Sequence, residues 1–248
     1  MIELKDLTKY YDKILAVNNL NLVIRKGEIF GFIGPNGAGK TTTIRMMGGI
    51  LAPSSGAVII DGQSLAEHPV EVKKKIGFIP DRPYLYEKLT GWEFMRFSAD
   101  LFGVEEGTFA SKAAELLNTF SLFNWRQELI EAYSHGMKQR LIIAAALLHD
   151  PAVIIVDEPM VGLDPAAIRM VKDILRSLAA QGTTIFMSTH TLAVAEDLCD
   201  RIGVIHKGSL IALGTMGELK QSTRMRQGEG DGNLEDIFLR LTAEEGME

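Results

Sequence analysis

The 248-residue chain contains a single cysteine, Cys199, which excludes an internal disulfide and fits a reducing cytoplasm. Its first residues, Met-Ile-Glu-Leu-Lys, lack the apolar core of a secretory signal peptide. No apolar run approaches the ~18 residues that a membrane-spanning helix needs, and the stretch 141–148 is among the longest. We therefore expect a protein that is soluble by itself, so that any membrane role must come through a partner.

Positive charge is also scarce. Lys and Arg together number 26 against 32 Asp and Glu, which gives a formal net charge of −6. Binding of nucleic acid generally needs a basic face, so no nucleic-acid partner is expected. Hydrophobic residues make up 46% of the chain, enough for the core of one large α/β domain or of a domain with a subdomain.

One short stretch, Gly34–Thr42, fits the phosphate-binding pattern G-x-x-x-x-G-K-[ST]. The apolar segment 28–33 precedes it and a helix-like segment follows, which is the strand–loop–helix context that the pattern requires. The glycines leave bare backbone, so successive N–H groups can surround phosphates, and the helix N-terminus adds positive partial charge. A glycine turn that merely caps a helix is the alternative, but the flanking pattern disfavours it. The sequence predicts a site for a nucleoside triphosphate.

Within this phosphate loop, Lys40 is expected to reach the β- and γ-phosphates, and the Thr41 hydroxyl to hold Mg²⁺. The loop residues expected to contact the nucleotide are Asn36, Gly37, Ala38, Gly39, Lys40, Thr41 and Thr42.

Strands and helices alternate along most of the chain, which indicates a mainly parallel, right-handed α/β sheet. The segment 2–33 reads as β-structure, and 16–24 and 28–33 are expected to form a hairpin around Lys26-Gly27. From 84 to about 132, glycines thin out and helical spacing dominates. The predicted fold class is α/β, a P-loop NTPase with a mainly parallel sheet, an antiparallel β subdomain and an inserted helical subdomain.

We expect one nucleotide-binding domain over 1–220, with the helical subdomain at about 84–148 inside it. The polar, glycine-rich stretch 221–233 is expected to be a linker, followed by one short amphipathic helix at Leu234–Leu241 and a frayed tail to 248.

Aromatic residues concentrate near the start of the helical subdomain. Residues 78–102 hold seven of the 18 aromatics in the chain. They either pack the subdomain or form in part an exposed contact surface, and the sequence leaves both open. The seven are Phe78, Tyr84, Tyr86, Trp92, Phe94, Phe97 and Phe102.

Polar groups follow two further apolar strands, at the ends where α/β sheets bind ligands. Asp157 and Glu158 end the strand 153–158, and His190 follows the strand 184–188. Asp157 suits Mg²⁺, directly or through water, and Glu158 can orient and deprotonate an attacking water. His190 could hydrogen-bond a γ-phosphate oxygen. Charged residues at a strand end are often merely solvated and a histidine there is often structural, but a phosphate loop nearby weakens both alternatives.

Taken together, the arrangement resembles the nucleotide-binding subunits of ABC transporters. The order and spacing match from residue 2 to about 220. The matching elements are the phosphate loop, the degenerate signature Tyr133-Ser-His-Gly-Met137, the strand Val153–Glu158, the segment Gly162-Leu-Asp164 and the histidine His190.

The resemblance implies ATP as the nucleotide and Tyr11 as the residue that stacks on adenine. It also implies that Ser134 and Gly136 contact the γ-phosphate bound to a second subunit, that Asp164 belongs to the nucleotide-binding set, and that two subunits sandwich two ATP molecules head to tail. Independently, the N-terminus of the helix at 134–148 is an anion site without a phosphate loop of its own.

Two positions depart from the family pattern. Asp81 stands where the loop after the strand 76–79 usually carries glutamine, and it is shorter, charged and unable to donate a hydrogen bond. It is still expected to approach Mg²⁺, although a turn-capping role is the alternative. In the signature, His135 and Met137 replace a glycine and a glutamine, and His135 brings a titratable ring towards the phosphates.

The predicted function is an ATP-hydrolysing subunit that powers a separate integral membrane permease, in a branch that resembles ABC-2 type exporters. Such a subunit would be cytoplasmic and peripheral on the inner face of the cell membrane. A soluble ATPase of the same superfamily that acts on a macromolecular assembly is the alternative. A small-molecule kinase is disfavoured, because Asp157 and Glu158 suit water activation and no substrate lid is evident.

Overall fold

The structure, a computed structural model, describes residues 1–82 and 84–227 together with Phe238. These residues form ten strands and eight α-helices. The strands are β1 (Ile2–Tyr11), β2 (Ile14–Ile24), β3 (Ile29–Ile33), β4 (Ser55–Ile60), β5 (Gln63–Ser64), β6 (Ile76–Ile79), β7 (Val153–Asp157), β8 (Thr184–Thr189), β9 (Arg201–His206) and β10 (Ser209–Gly214). The helices are α1 (Lys40–Met47), α2 (Pro69–Lys73), α3 (Gly91–Phe102), α4 (Glu106–Thr119), α5 (His135–Ala146), α6 (Pro165–Ala180), α7 (Leu192–Leu198) and α8 (Met216–Gln227).

The strands build two sheets. One has four strands in the order β2-β1-β4-β5 with antiparallel neighbours. The other has six strands in the order β10-β9-β3-β8-β7-β6, and its strands run parallel except for β10, which is antiparallel to β9. The predicted α/β class with a mainly parallel sheet and a separate antiparallel part is confirmed.

The hairpin expected around Lys26-Gly27 is wrong. β2 pairs with β1 in the antiparallel sheet, whereas β3 pairs with β8 and β9 in the parallel sheet. The chain therefore crosses between the sheets here, through a tight turn in which Glu28 N donates to Arg25 O at 3.3 Å. The reason lies in burial. All five residues of β3 are buried, as in a central parallel strand, while β2 mixes buried and exposed positions as in a one-sided sheet.

Alternate side chains of the parallel strands feed two different cores. In β7, Val153 and Ile155 join a cluster that contains α1 and the antiparallel sheet. Ile154 and Val156 point the other way, into a cluster shared with α3, α4, α5 and α6. The two-residue period of a strand thus places the antiparallel sheet on one face of the parallel sheet and the helical region on the other.

The helical region is anchored by local signals that the sequence carries. Thr90 and Glu93 form a capping box at the start of α3, and Gly103 ends that helix in the left-handed conformation. In α4, Ala113, Leu117 and the following Phe120 are fully buried and Leu116 is partly buried, so one face of the helix packs into the helical core. α5 begins after Ser134, whose Oγ accepts a hydrogen bond from Met137 N and so caps the helix.

The C-terminal part differs from the linker that the sequence suggests. α8 runs to Gln227, so the first seven residues of the expected linker, 221–227, are helical. The first glycine of the expected linker is Gly228, and the residues before it, such as Gln221, are compatible with a helix. Phe238 is helical and packs beside Leu219 and Ala195. The remainder of the expected linker, C-terminal helix and tail lies outside the described residues.

Across the described ranges, none of the helices is both long enough and apolar enough to cross a membrane.

Candidate nucleotide site

The carboxyl ends of four neighbouring strands, β3, β8, β7 and β6, meet at one edge of the parallel sheet. A cavity of about 320 Å³ lies at this edge. Its lining contains ten of the residues that the sequence pointed to, together with Ala16. The lining residues are Ala16, Asn36, Gly37, Gly39, Lys40, Thr41, Thr42, Asp81, Asp157, Glu158 and His190.

The phosphate loop joins β3 to α1, as its pattern requires, and it needs glycine for steric reasons. Gly39 has a φ of 108°, and a Cβ there would lie 2.6 Å from the carbonyl oxygen of Ala16. A Cβ at Gly34 would lie 2.4 Å from the carbonyl oxygen of Ile205. Side chains at these two positions would therefore push the loop away from the sheet and open the cradle of N–H groups.

Lys40 is held across the loop. Its Nζ donates to the carbonyl oxygens of Gly34 at 2.6 Å and Pro35 at 3.0 Å. Burial lowers the pKa of Lys40, and the negative charges of Glu158 and Asp157 oppose that change. An ammonium group has three donors, so one remains for a phosphate oxygen.

Asp157 and Thr41 bring two oxygen ligands together. Thr41 Oγ1 donates to Asp157 Oδ2 at 3.2 Å, and Ser188 Oγ donates to Asp157 Oδ1. Burial raises the pKa of Asp157, with further contributions in the same direction from Asp81 and Glu158, while the two hydroxyl donors lower it. A buried carboxylate beside a hydroxyl, with no nitrogen or sulfur ligand between them, suits a small hard cation such as Mg²⁺.

No group of three or more acidic, histidine or cysteine side chains is placed to hold a metal by itself, as far as the described residues go. A cation held by Thr41 and Asp157 would therefore take its other ligands from phosphates and water, which is how Mg²⁺ usually binds with nucleotides.

Glu158 N donates to Ser188 O at 3.1 Å, and the carboxylate of Glu158 makes three further contacts with the end of the next strand. Its Oε1 accepts from the backbone N of His190 at 2.9 Å and lies 2.7 Å from His190 Nδ1, while its Oε2 accepts from Thr189 Oγ1 at 3.2 Å. Its backbone φ is 50°, in the left-handed region. These contacts fix the orientation of the Glu158 carboxylate at the cavity. A general base needs such a fixed position to take a proton from one particular water molecule.

Asp81 lies on the exposed bend that follows β6 and Pro80. It lines the cavity, and its charge is close enough to raise the pKa of Asp157. The structure therefore brings this residue to the site, although the contact with a metal ion stays a prediction.

Five other residues expected to bind nucleotide lie outside the lining of this cavity. Ala38 is buried within the phosphate loop, where its N donates to Pro35 O at 3.2 Å. Tyr11 ends β1 with 43% of its side chain exposed, and Lys9 Nζ lies 5.5 Å from the centre of its ring. Asp164 caps α6, where its Oδ1 accepts from Ala167 N at 2.8 Å.

Ser134 and Gly136, the two signature residues, are at the N-terminus of α5. Ser134 is exposed, and Gly136 packs against the segment 162–163, where a Cβ on it would lie 3.5 Å from the carbonyl oxygen of Gly162. Neither lines the cavity that the phosphate loop forms.

Three residues of the site are not predicted from the sequence. Ser188 and Thr189 hold Asp157 and Glu158 in place, and Ala16 adds apolar surface to the cavity. Ser188 and Thr189 directly precede His190 at the end of an apolar strand, so their position in the chain was a usable signal. Ala16 comes from the antiparallel sheet, and no local pattern marks it.

Comparison with known proteins identifies the family of the chain. The chain matches the ABC transporter family model over residues 17–161. It is 40% identical over 225 residues to the bacitracin transport ATP-binding protein BcrA of Bacillus licheniformis, covering 90% of this chain and 72% of that protein.

Two solved structures are similar. One is an ATP-binding subunit of an ABC transporter, with a TM-score of 0.91, 34% identity and coverage of 97% of this chain and 99% of that one. The other is the dimeric bacterial ABC transporter cassette MJ0796, with a TM-score of 0.81, 28% identity and coverage of 87% and 98%. The chain therefore belongs to the ABC transporter family, as an ATP-binding subunit that hydrolyses ATP.

Proposed function

We propose that this subunit works in a head-to-tail dimer that holds two ATP molecules with Mg²⁺ and powers export through a separate integral membrane permease. The main observation behind the proposal is that the cavity lacks the two signature residues expected to contact the γ-phosphate. The cavity gathers Lys40, Asp157, Glu158 and His190, but it contains neither Ser134 nor Gly136. A second copy facing the cavity would supply these two residues.

The exposed N-terminus of α5 is suited to that role. Ser134 Oγ accepts from Met137 N at 3.2 Å, which leaves its hydroxyl proton free to be donated to a phosphate oxygen. The helix N-terminus adds positive partial charge. The similarity to the dimeric cassette MJ0796 supports this assembly.

The residues of the cavity divide the chemistry among them. Lys40 and the N–H groups of the phosphate loop would bind the β- and γ-phosphates, while Thr41, Asp157 and, through water, Asp81 would hold Mg²⁺, which offsets negative charge on the phosphates. Glu158 would take a proton from the attacking water, and its bonds to Thr189 and His190 fix the carboxylate for that step. His190 would form a hydrogen bond with a γ-phosphate oxygen, and Tyr11 would stack on adenine. Asp164 would reach the nucleotide only in the closed dimer.

We assign the permease contact to exposed apolar side chains at the start of the helical region. The aromatic patch, which we define as the aromatic residues Tyr84, Tyr86 and Phe97 together with Leu101, one turn after Phe97 on α3, exposes large apolar side chains. Tyr84 is 80%, Tyr86 60% and Leu101 64% exposed, and the rings of Tyr86 and Phe97 meet edge to face at 5.2 Å. Exposed apolar patches are typical of interaction sites, which supports this assignment. Phe94 is buried, and Phe78, Trp92 and Phe102 are partly buried, so the aromatics of 78–102 serve both packing and surface.

The patch begins three residues after Asp81, so a movement at the cavity could be passed directly to the permease. We assign residues 1–220 to the ATP-binding domain, with the helical subdomain at about 84–148 within it. Export is supported by the similarity to a bacitracin transport protein, and the subunit would lie in the cytoplasm against the inner face of the membrane. No observation on the described residues favours the alternative of a soluble assembly ATPase.

The test is ATP-dependent dimer formation combined with isolation of the membrane partner. Glu158→Gln with Mg²⁺ and ATP should be a dimer by light scattering, and a tagged chain should carry one integral membrane protein out of detergent-solubilised membranes. The matched control is Glu158→Gln with Ser134→Arg, which should bind ATP normally but stay monomeric. Lys40→Ala should bind ATP weakly and stay monomeric. A Glu158→Gln chain that stays monomeric with and without its membrane partner would overturn the dimer, and a chain found only with soluble assemblies would overturn the transport role.

A further inference from the structure

His135 is the signature residue that departs most from the family pattern, and its ring does not face the phosphate cavity of its own subunit. A Cβ on Gly162 would lie 2.2 Å from His135 Cδ2 and 2.6 Å from Nε2. The imidazole therefore fills the space that a side chain at residue 162 would take. Gly162 also has a φ of 76°, so only glycine fits both the backbone and the ring.

The segment beneath this ring is compact and leads back to Glu158. Val161 N donates to Glu158 O at 3.2 Å, and Leu163 N donates to Met160 O at 3.3 Å, so two overlapping turns connect Glu158 with Leu163. The side chains of Met160 and Leu163 pack against the helical core. Gly162 is therefore linked to Glu158 by two backbone hydrogen bonds within the segment 158–163.

The other side of the contact is equally fixed. Tyr133 is buried, and its hydroxyl donates to Trp125 O at 2.7 Å. Ser134 caps α5, and Gly136 also packs on the segment 162–163. The N-terminus of α5 is therefore held from both sides, and His135 is the large side chain between it and the turns that carry Glu158.

We propose that His135 is a positioning residue that couples the two nucleotide sites of the dimer. The inference rests on the proposed function, in which Ser134 and Gly136 touch the nucleotide of the partner subunit. Nucleotide held there presses the N-terminus of α5 onto Gly162 through the ring of His135, and the turns pass the displacement to Glu158 of the same chain. Occupation of one site thereby aligns the base of the other. The ring acts by its shape and needs no proton or hydrogen bond to the phosphate.

The experiment compares His135→Gly and His135→Phe in the full-length chain assembled with its membrane partner. His135→Gly removes the ring and restores the residue type usual in the family, whereas His135→Phe keeps a flat ring over Gly162 without nitrogen atoms. Coupling between two sites typically amounts to about 5–150-fold in affinity. We expect His135→Gly to remove a coupling of about 5-fold or more in ATP affinity between the two sites, which brings the Hill coefficient for ATP close to 1 and lowers kcat, with ATP affinity of the isolated chain unchanged within about 2-fold. His135→Phe should restore both values.

The control is His68→Gly, which removes another exposed imidazole at the start of a helix, where it makes no capping bond. It should leave kcat and the Hill coefficient at their wild-type values. If His135→Gly keeps wild-type kcat and cooperativity, or if His135→Phe fails as His135→Gly does, the positioning role is wrong, and the second result would point to a polar role of the imidazole. Dimer formation by Glu158→Gln distinguishes failure of the proposed function from failure of this inference. If Glu158→Gln does not form a dimer, the proposed function is wrong. If it forms a dimer but His135→Gly has no effect, only the positioning role of His135 is wrong.

Discussion

Glu158 and His190 are joined twice, because Glu158 Oε1 accepts from the backbone N of His190 at 2.9 Å and lies 2.7 Å from its Nδ1. Glu158 directly follows β7 and His190 directly follows β8, so the pair links the carboxyl ends of these two neighbouring strands. The side chain of His190 is largely exposed, whereas that of Glu158 is mostly buried. The carboxylate is therefore the fixed member, and the imidazole is the member that a γ-phosphate can draw away.

Glu158→Gln should lower ATP hydrolysis by about 10²–10⁴, the usual range for loss of a general base. The amide oxygen can still accept from His190 N, so the shape of the site and the affinity for ATP should be retained. Steady-state phosphate release and equilibrium ATP binding measure the two effects on the same sample. A variant that hydrolyses ATP at the wild-type rate would remove Glu158 from the role of base.

Asp157→Asn should separate stability from function. Burial raises the pKa of Asp157, which means that its charge is costly in the nucleotide-free fold. The uncharged amide should raise the Tm of the nucleotide-free protein, on a scale of about 2–4 °C per kcal/mol for a domain of this size. The same change should remove Mg²⁺-dependent hydrolysis, because a carboxylate ligand is lost. Calorimetry with and without Mg²⁺–ATP checks both, and a lower Tm without nucleotide would contradict the account.

Charged residues in the aromatic patch should separate the subunit from the permease. Tyr84→Asp and Leu101→Asp place charges on side chains that are already exposed, so the fold and basal hydrolysis of the isolated chain should persist. The variants should no longer co-purify with the membrane partner, and the partner should no longer stimulate their ATP hydrolysis. Val23→Asp is the matched control, because Val23 is also an exposed apolar residue but lies on edge strand β2. If both patch variants assemble with the permease and transport normally, the aromatic patch does not bind the permease.

The sequence predicts the parts of the site that local patterns encode. Gly34–Thr42 is contiguous, and Asp157, Glu158 and His190 follow strands whose carboxyl ends must meet in a parallel sheet. Pairing between distant strands is different. Whether β3 pairs with β2 or with β8 depends on burial of both its faces, and a turn such as Lys26-Gly27 is compatible with either.

Contacts between side chains are also beyond sequence patterns. Nothing local indicates that Ser188 and Thr189 orient the two carboxylates or that the ring of His135 lies on Gly162. These contacts join residues 27 to 31 positions apart, and they depend on how neighbouring strands and turns settle against one another.

His149 should make stability depend on pH. Its ring stacks on Phe102 at 3.8 Å, and its Nε2 lies 3.1 Å from Ile76 O. Burial lowers the pKa of His149; the bond to Ile76 and the charge of Asp150 oppose this, while Lys112 adds to it. Between the lowered pKa and the ordinary value of about 6.5, the unfolded chain binds more protons, so this contribution to stability is lost as pH falls through that window.

His149→Gln and His149→Phe do not titrate, so both should lose less stability than wild type between pH 7 and pH 5. His149→Gln keeps a donor for Ile76 O and His149→Phe keeps the stack, which separates titration from lost contacts. Urea unfolding at several pH values gives the slopes. Equal slopes in wild type and both variants would show that His149 does not contribute.

Asp81 should act as a nucleotide-sensing residue even though it replaces glutamine. It follows β6 and Pro80 at the sheet edge that carries Asp157, and its charge already raises the pKa of that residue. Beside a metal-free triphosphate the carboxylate would be repelled, whereas with Mg²⁺ it can accept hydrogen bonds from metal-bound water. The Mg²⁺ dependence of hydrolysis should therefore be steeper in wild type than in Asp81→Gln, and Asp81→Ala should also lose stimulation by the permease. A Mg²⁺ titration of the three proteins decides the matter: three identical curves with equal stimulation would leave Asp81 as a residue that only caps the turn before Arg82.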